Sequence, residues 1–141
     1  MATKDDPASS RRTQGIRRTR PHSLTVLVVE DEWLLRWAIC EHLIDAGFTV
    51  LEAESAEHAS VILAATDGID VVLTDIRLGG ELNGWDVGIR AHSARPRIPV
   101  IYASGNPIEP RRDVPGSRFL SKPYRPTQVV KTCRELAGQR Q

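Results

Sequence analysis

The sequence predicts an α/β domain: a doubly wound, five-stranded parallel sheet with helices on both faces. Three observations carry this. Aliphatic runs recur at 24–29 (LTVLVV), 70–74 (DVVLT) and 98–103 (IPVIYA), continuous rather than alternating, as strands covered on both faces require. Segments with helical spacing separate them. The 141 residues fit one ordinary domain, and strand–helix alternation calls for right-handed crossovers and hence parallel strands.

In order, Leu24 to Val29 is the first strand. Glu32 to Ala46 follows as a helix, with Leu35, Ile39, Leu43 and Ala46 on one stripe and Gly47 as its stop. Phe48 to Ala53 is the second strand. Ser55 offers an N-cap for a helix through about Ala65, with Ala59, Ile62 and Leu63 inward. Asp70 to Thr74 is a third strand ending in Asp75, followed by a turn-rich loop over 79–84. A helix from about Trp85 to Ala94 is weakened by Gly88. Ile98 to Ala103 and Arg118 to Ser121 complete the strands, and Thr127 caps a last helix through Leu136, with Val129, Val130, Cys133 and Leu136 inward. Five strands in this length suit the flavodoxin-like order 2-1-3-4-5. A dinucleotide-binding fold would begin its glycine signature where this chain has Glu30-Asp31-Glu32.

Charge is unevenly divided. Residues 1–22 carry Lys4, Arg11, Arg12, Arg17, Arg18 and Arg20 against Asp5 and Asp6, a net +4, while the rest holds 13 basic and 16 acidic side chains, a net −3. The first 22 residues read as a flexible Arg-rich arm, either idle or in contact with an acidic partner, ahead of a folded domain at 23–138. The folded part has no broad attraction for nucleic acid. Cys40 and Cys133 lie far apart and read as reduced structural thiols. No run approaches the ~20 apolar residues of a membrane span, and no apolar segment backs the basic N-terminus as in a secretory signal. A soluble, cytoplasmic protein without a membrane partner is expected.

The strand order places the ends of strands one and three side by side at the switch point of the sheet. Glu30, Asp31 and Asp75 then converge. Carboxylates that close repel, so stability alone does not favour them; a hard cation such as Mg²⁺ (or Mn²⁺) removes the conflict. Strand four ends at Ser104 and strand five at Lys122, at the same crevice. A hydroxyl and an ammonium beside a metal–carboxylate cluster make a phosphoryl-transfer environment, with ionised Asp75 as nucleophile.

The residues V-V-E-D-E at 28–32, L-T-D-I-R at 73–77, A-S-G at 103–105 and F-L-S-K-P-Y at 119–124 resemble the receiver domains of two-component response regulators. The likeness covers about 24–137. It implies Asp75 as phosphoacceptor; Asp31 as direct metal ligand, Glu30 as its acidic partner acting through water, and the backbone carbonyl of Arg77 as a third protein ligand. It further implies Ser104 as switch hydroxyl, Lys122 as the motif lysine, Phe119 as switch aromatic, and a cis bond before Pro123. Phe119 alone reads equally as a packing aromatic. A sensor histidine kinase or phosphotransfer protein is the implied phosphodonor.

Three departures stand out. Leu78-Gly79 replaces the usual Met-Pro, and the loop runs one residue longer before Asn83-Gly84, predicting a more mobile loop. Only 17 residues separate Ser104 from Lys122, and Pro107, Pro110 and Pro115 are among them; since proline inside a helix costs ~3 kcal/mol, the fourth helix is expected to be short or absent. The family's usual output and dimer face is therefore remodelled, and its dimer mode is not carried over, although a homodimer stays open. Arg77 and Asn106 occupy the positions that tune phosphoryl lifetime.

No DNA-binding motif follows, so the chain reads as a stand-alone receiver that signals through a protein partner. Trp33, Leu34 and Trp37 are more apolar bulk than one buried stripe needs; they are either core or a contact surface. Two other readings are weighed: a receiver-like binding module without phosphate turnover, and a phosphatase with Asp75 as nucleophile. Intact Glu30, Asp31, Asp75, Ser104 and Lys122 speak against the first. Arg77, where such a phosphatase wants a second carboxylate, speaks against the second.

Overall fold

A computed structural model describes residues 23–106 and 111–138. The arm expected over 1–22, and Pro107 and Pro110, lie outside the described residues. The chain forms β1 (Thr25–Val29), α1 (Trp33–Asp45), β2 (Thr49–Ala53), α2 (Ala56–Ala65), β3 (Val71–Asp75), α3 (Gly84–Ala94), β4 (Val100–Ser104), β5 (Arg118–Ser121) and α4 (Pro126–Gly138). All strand pairs are parallel and the sheet order is β2-β1-β3-β4-β5, the order the alternation of elements implied.

Two cores result from the twofold alternation of side chains along each strand. Leu27 and Val29, Val72, and Val100 and Tyr102 enter one, with Ala59, Leu63, Trp85 and Val87 from α2 and α3. Val26 and Val28, Val71 and Leu73, and Ile101 enter the other, with Ile39, Leu43, Val129 and Cys133 from α1 and α4. Both cysteines are buried and free; burial pushes the Cys133 thiol up to about 12, which leaves it a neutral packing group.

Helix starts follow local chemistry. Ser55 Oγ accepts from the His58 N–H at 3.0 Å, the predicted cap. Asn83 and Asp86 form a reciprocal capping box, so α3 begins at Gly84, one residue before the predicted start. Thr127 is not a cap: α4 begins at Pro126, whose fixed φ suits a first helical position, and Gln128 Oε1 accepts from the Arg125 N–H at 3.2 Å. Leu35, expected inward, is exposed, because the buried stripe of α1 runs through Ile39, Cys40 and Leu43. Trp33 and Trp37 are exposed as well, so the core reading of these two is excluded.

Gly88 needs a different account from helix weakening. A Cβ there would lie 2.0 Å from the Tyr102 hydroxyl oxygen, so only glycine lets β4's tyrosine pass under α3. Among the described residues no helix lies between β4 and β5, as the prolines predicted. Val114, 8 % exposed, packs into the α2–α3 core instead, and its N–H donates to Tyr102 Oη at 3.2 Å.

Candidate functional site

Glu30 follows β1 directly and Asp75 ends β3, and these strands pair along Val26–Val71 to Val29–Thr74. Adjacent strand ends therefore place their carboxylates together. One oxygen each of Glu30, Asp31 and Asp75 lies within 4.8 Å of the others. Lys122, one residue past β5, spans the sheet to meet them: its Nζ donates to Glu30 Oε1 at 3.0 Å and lies 3.3 Å from Asp75 Oδ1. The Lys122 N–H also donates to the Ser104 carbonyl at 2.9 Å, and Ser104 pairs with Ser121 across β4 and β5. Ser104 thus ends its strand at the same rim. The bond from Lys122 to Pro123 is cis.

The electrostatics follow from crowding. Burial first, and then the charge of Glu30, push the Asp75 carboxyl up to about 6, against the pull of the Lys122 ammonium. Burial draws Lys122 down, but its bond to Glu30 and the charge of Asp75 outweigh this and hold it above its usual value. One ammonium among three carboxylates leaves a surplus of negative charge at an oxygen-only donor set. That set fits a hard divalent cation.

Several supports were invisible in the sequence. Arg36, in the first turn of α1, donates to the Glu30 carbonyl at 2.7 Å and pairs with Glu52 at 3.0 Å, pinning the end of β1. Gly84 lets α3 seat under Asp75, since a Cβ there would lie 2.2 Å from the Asp75 carbonyl oxygen. The loop expected to be loose is tethered: Asp31 Oδ2 accepts from the Gly79 N–H at 3.2 Å and Glu57 Oε2 from the Leu82 N–H at 3.4 Å.

The remaining predicted residues lie close by. Arg77 is exposed on the loop leaving Asp75. The Asn106 N–H donates to Ser104 Oγ at 3.0 Å. Phe119, 36 % exposed, has its ring centroid 5.5 Å from that of Tyr102 and 5.8 Å from that of Trp85.

A doubly wound parallel sheet in this order, with an acidic rim answered by the lysine after the last strand, places the chain in the class of receiver-type folds. Residues 26–134 match the response regulator receiver domain, and the chain belongs to that family. It is 32% identical over 119 residues to the sensor kinase CckA of Brucella abortus and 30% identical over 115 residues to a cyclic di-GMP phosphodiesterase of Thermotoga maritima. These matches cover 81% and 82% of the chain but only 12% and 25% of those longer relatives. A response regulator receiver protein from Sinorhizobium medicae superimposes with a TM-score of 0.80 at 31% identity, covering 84% of this chain and 98% of that one. The receiver domain of sensor histidine kinase PA1611 from Pseudomonas aeruginosa, solved with magnesium coordinated in its active-site cleft, gives a TM-score of 0.74 at 20% identity over 84% of this chain and all of that one. Among the described residues no helix is long and apolar enough to cross a membrane.

Proposed function

We propose that this receiver takes a phosphoryl group from a histidine kinase or phosphotransfer protein onto Asp75, with Mg²⁺ (or Mn²⁺) bound, and signals by changing which protein it binds. The carrying observation is the meeting of Glu30, Asp31 and Asp75 within 4.8 Å, with Lys122 bridging two of them. Asp31, Asp75 and the Arg77 carbonyl would hold the ion, with Glu30 acting through water; the oxygen-only cluster of Glu30, Asp31 and Asp75 supports a hard divalent ion here. The ion supplies neutralisation of the charge on the phosphoryl oxygens.

Asp75 needs no general base, because an ionised carboxylate is already nucleophilic. Its oxygen forms the new bond to phosphorus as the bond to the donor nitrogen breaks, and the electron pair leaves with the donor imidazole. Lys122 stands beside Asp75 to pair with a phosphoryl oxygen, and Ser104 supplies a hydroxyl donor to another. Phe119 is the aromatic whose packing responds. Arg77 and Asn106 flank the phosphoryl group and set its lifetime; Arg77→Ala is expected to change the rate of aspartyl-phosphate decay.

The donor's docking surface is read from α1. Trp33, Leu34 and Trp37 are exposed there, and on another side of the same helix an apolar groove of about 410 Å³ lies between α1 and the segment after β5, lined by Leu35, His42, Pro123 and Tyr124 and reaching Lys122. A helix of the phosphodonor packed on the exposed Trp33, Leu34 and Trp37 at the start of α1, which follows Glu30 and Asp31, brings its histidine toward Asp75. Exposed Trp anchors of this kind dominate docking energies, so Trp33→Ala/Trp37→Ala should slow transfer from a kinase about tenfold more than uptake from acetyl phosphate.

The test is incubation with Mg²⁺ and acetyl phosphate, followed by intact mass. One added phosphate, abolished by Asp75→Asn, is expected. No added mass and no phosphate release would mark a binding module, and turnover without accumulation a phosphatase; either would overturn the reading.

A further inference from the structure

We propose that Arg111 is a latch on Phe119, holding residues 111–117 of the crossover against β5 until Asp75 is phosphorylated. This rests on the phosphoacceptor reading and adds a device that reading does not contain. A helical crossover keeps itself in place through its own backbone hydrogen bonds. Between β4 and β5 no helix occurs among the described residues, so residues 111–117 depend on contacts with their surroundings.

Those contacts are specific. The Val114 N–H donates to Tyr102 Oη at 3.2 Å, and Arg112 lies 3.6 Å from Asp86 of the α3 capping box. The Arg111 guanidinium sits 4.0 Å from the centroid of the Phe119 ring. Asp113 accepts from the same guanidinium at 3.1 Å and Ser117 Oγ donates to Asp113 at 3.4 Å, which aims the fork. A weakly hydrated cation over an aromatic ring is attracted by the ring's quadrupole even near solvent. Phe119 therefore answers to Tyr102 and Trp85 within the domain and to Arg111 from the crossover. The ring cannot repack without releasing Arg111 or carrying the crossover with it.

The opposite end of the crossover is tied to the phosphorylation site. Ser104 Oγ accepts from the Asn106 N–H at 3.0 Å. A phosphoryl group on Asp75 draws the Ser104 hydroxyl toward itself and so competes with that bond. Phosphorylation pulls at Ser104 while Arg111 resists at Phe119. Two states biased in opposite directions by two contacts are thermodynamically linked, so weakening the latch must strengthen binding of a phosphoryl mimic by the same factor.

The experiment titrates beryllofluoride, with Mg²⁺ present, into the full chain, followed by tryptophan emission, to which Trp85 beside Phe119 contributes. The variants are Arg111→Ala, Arg111→Lys, Phe119→Leu and Arg111→Ala/Phe119→Leu. The Arg111 side chain is 63% exposed, so its removal leaves the fold intact, checked by a cooperative urea transition whose midpoint falls only slightly, because the latch stabilises the unphosphorylated state alone. Arg111→Ala is expected to tighten beryllofluoride about two- to fivefold, and Arg111→Lys less. In the Phe119→Leu background the Arg111 effect should vanish, because its partner is gone. Unchanged affinity in Arg111→Ala, or the same gain without Phe119, overturns the latch alone. A parent chain that binds no beryllofluoride overturns the phosphoacceptor reading and the latch together.

Discussion

The rim at β1 and β3 and the crossover from β4 to β5 are built in opposite ways. At the rim, regular backbone fixes the chemistry. Asp75 ends a strand paired on both sides, and Glu30 is held at its carbonyl by Arg36 and at its carboxylate by Lys122 and the Glu32 N–H. In the described part of the crossover, order rests on isolated side-chain contacts at Tyr102, Phe119 and Asp86. The proposed phosphoryl transfer needs groups that stay put, whereas the proposed response needs a segment whose contacts are singly weak enough to exchange.

The sharpest way to break this contrast lies at the two glycines of α3. A Cβ at Gly84 would meet backbone, the Asp75 oxygen at 2.2 Å and Ile76 Cα at 2.7 Å, neither of which can yield without moving Asp75. Gly84→Ala is expected to cost about 3 kcal/mol or more, or to prevent folding. Gly88→Ala meets the tip of a side chain, Tyr102 Oη, and should cost about 1–3 kcal/mol; Tyr102→Phe in the same chain should recover part of that. Urea unfolding measures both. Parent stability in Gly84→Ala would show that α3 does not seat on the Asp75 backbone.

The next effect has the opposite sign. Asp75 is crowded by like charge and burial and is held near pKa 6, above the ordinary carboxylate value, so its ionised form destabilises the metal-free fold at neutral pH. Asp75→Asn should therefore raise stability in EDTA at pH 7 by about 1–3 kcal/mol. Added Mg²⁺ should stabilise the parent more than the variant and narrow the gap. Differential scanning calorimetry with and without Mg²⁺ reads both terms, and a variant less stable than the parent in EDTA would remove the crowding argument.

These two regions also differ in how much of them could be read from sequence. Strands, sheet order and the meeting of Glu30, Asp31, Asp75 and Lys122 were legible, because continuous aliphatic runs fix strand ends and strand order fixes which ends are neighbours. The absence of a helix between β4 and β5 among the described residues was legible from prolines. Pairwise fits were not. Nothing local says that Gly88 answers to Tyr102 or Gly84 to the Asp75 carbonyl, since each depends on how closely α3 approaches the sheet. Arg111 reads as a surface charge until β5 places Phe119 beneath it. The face of α1 was misjudged at Leu35 for a related reason: the groove before Pro123 and Tyr124 leaves that flank uncovered.

A smaller effect tests the crossover's inner tie. Tyr102→Phe leaves the ring stack with Trp85 in place and removes only the hydroxyl that receives the Val114 N–H. The donor is buried, so its loss of a partner should cost about 1 kcal/mol. Because the bond belongs to the crossover, amide exchange should quicken at Val114 and not at β1 or β3. Uniform acceleration across the sheet would mean that the crossover is no softer than the rim.

The smallest expected effect lies on the outer edge of β5, where Arg118 pairs with Glu135 of α4 at 3.2 Å with both side chains about 40% exposed. Such a pair gains little in high dielectric and costs side-chain entropy, so Arg118→Ala should shift stability by only about 0–1 kcal/mol and less in high salt. Its value is as a control for Arg111, a neighbouring exposed arginine of equal charge. If the crossover responds to net charge alone, Arg118→Ala and Arg111→Ala will change beryllofluoride affinity alike. If the ring contact decides, only Arg111 will matter, because the Arg118 guanidinium pairs with α4 while that of Arg111 lies over Phe119.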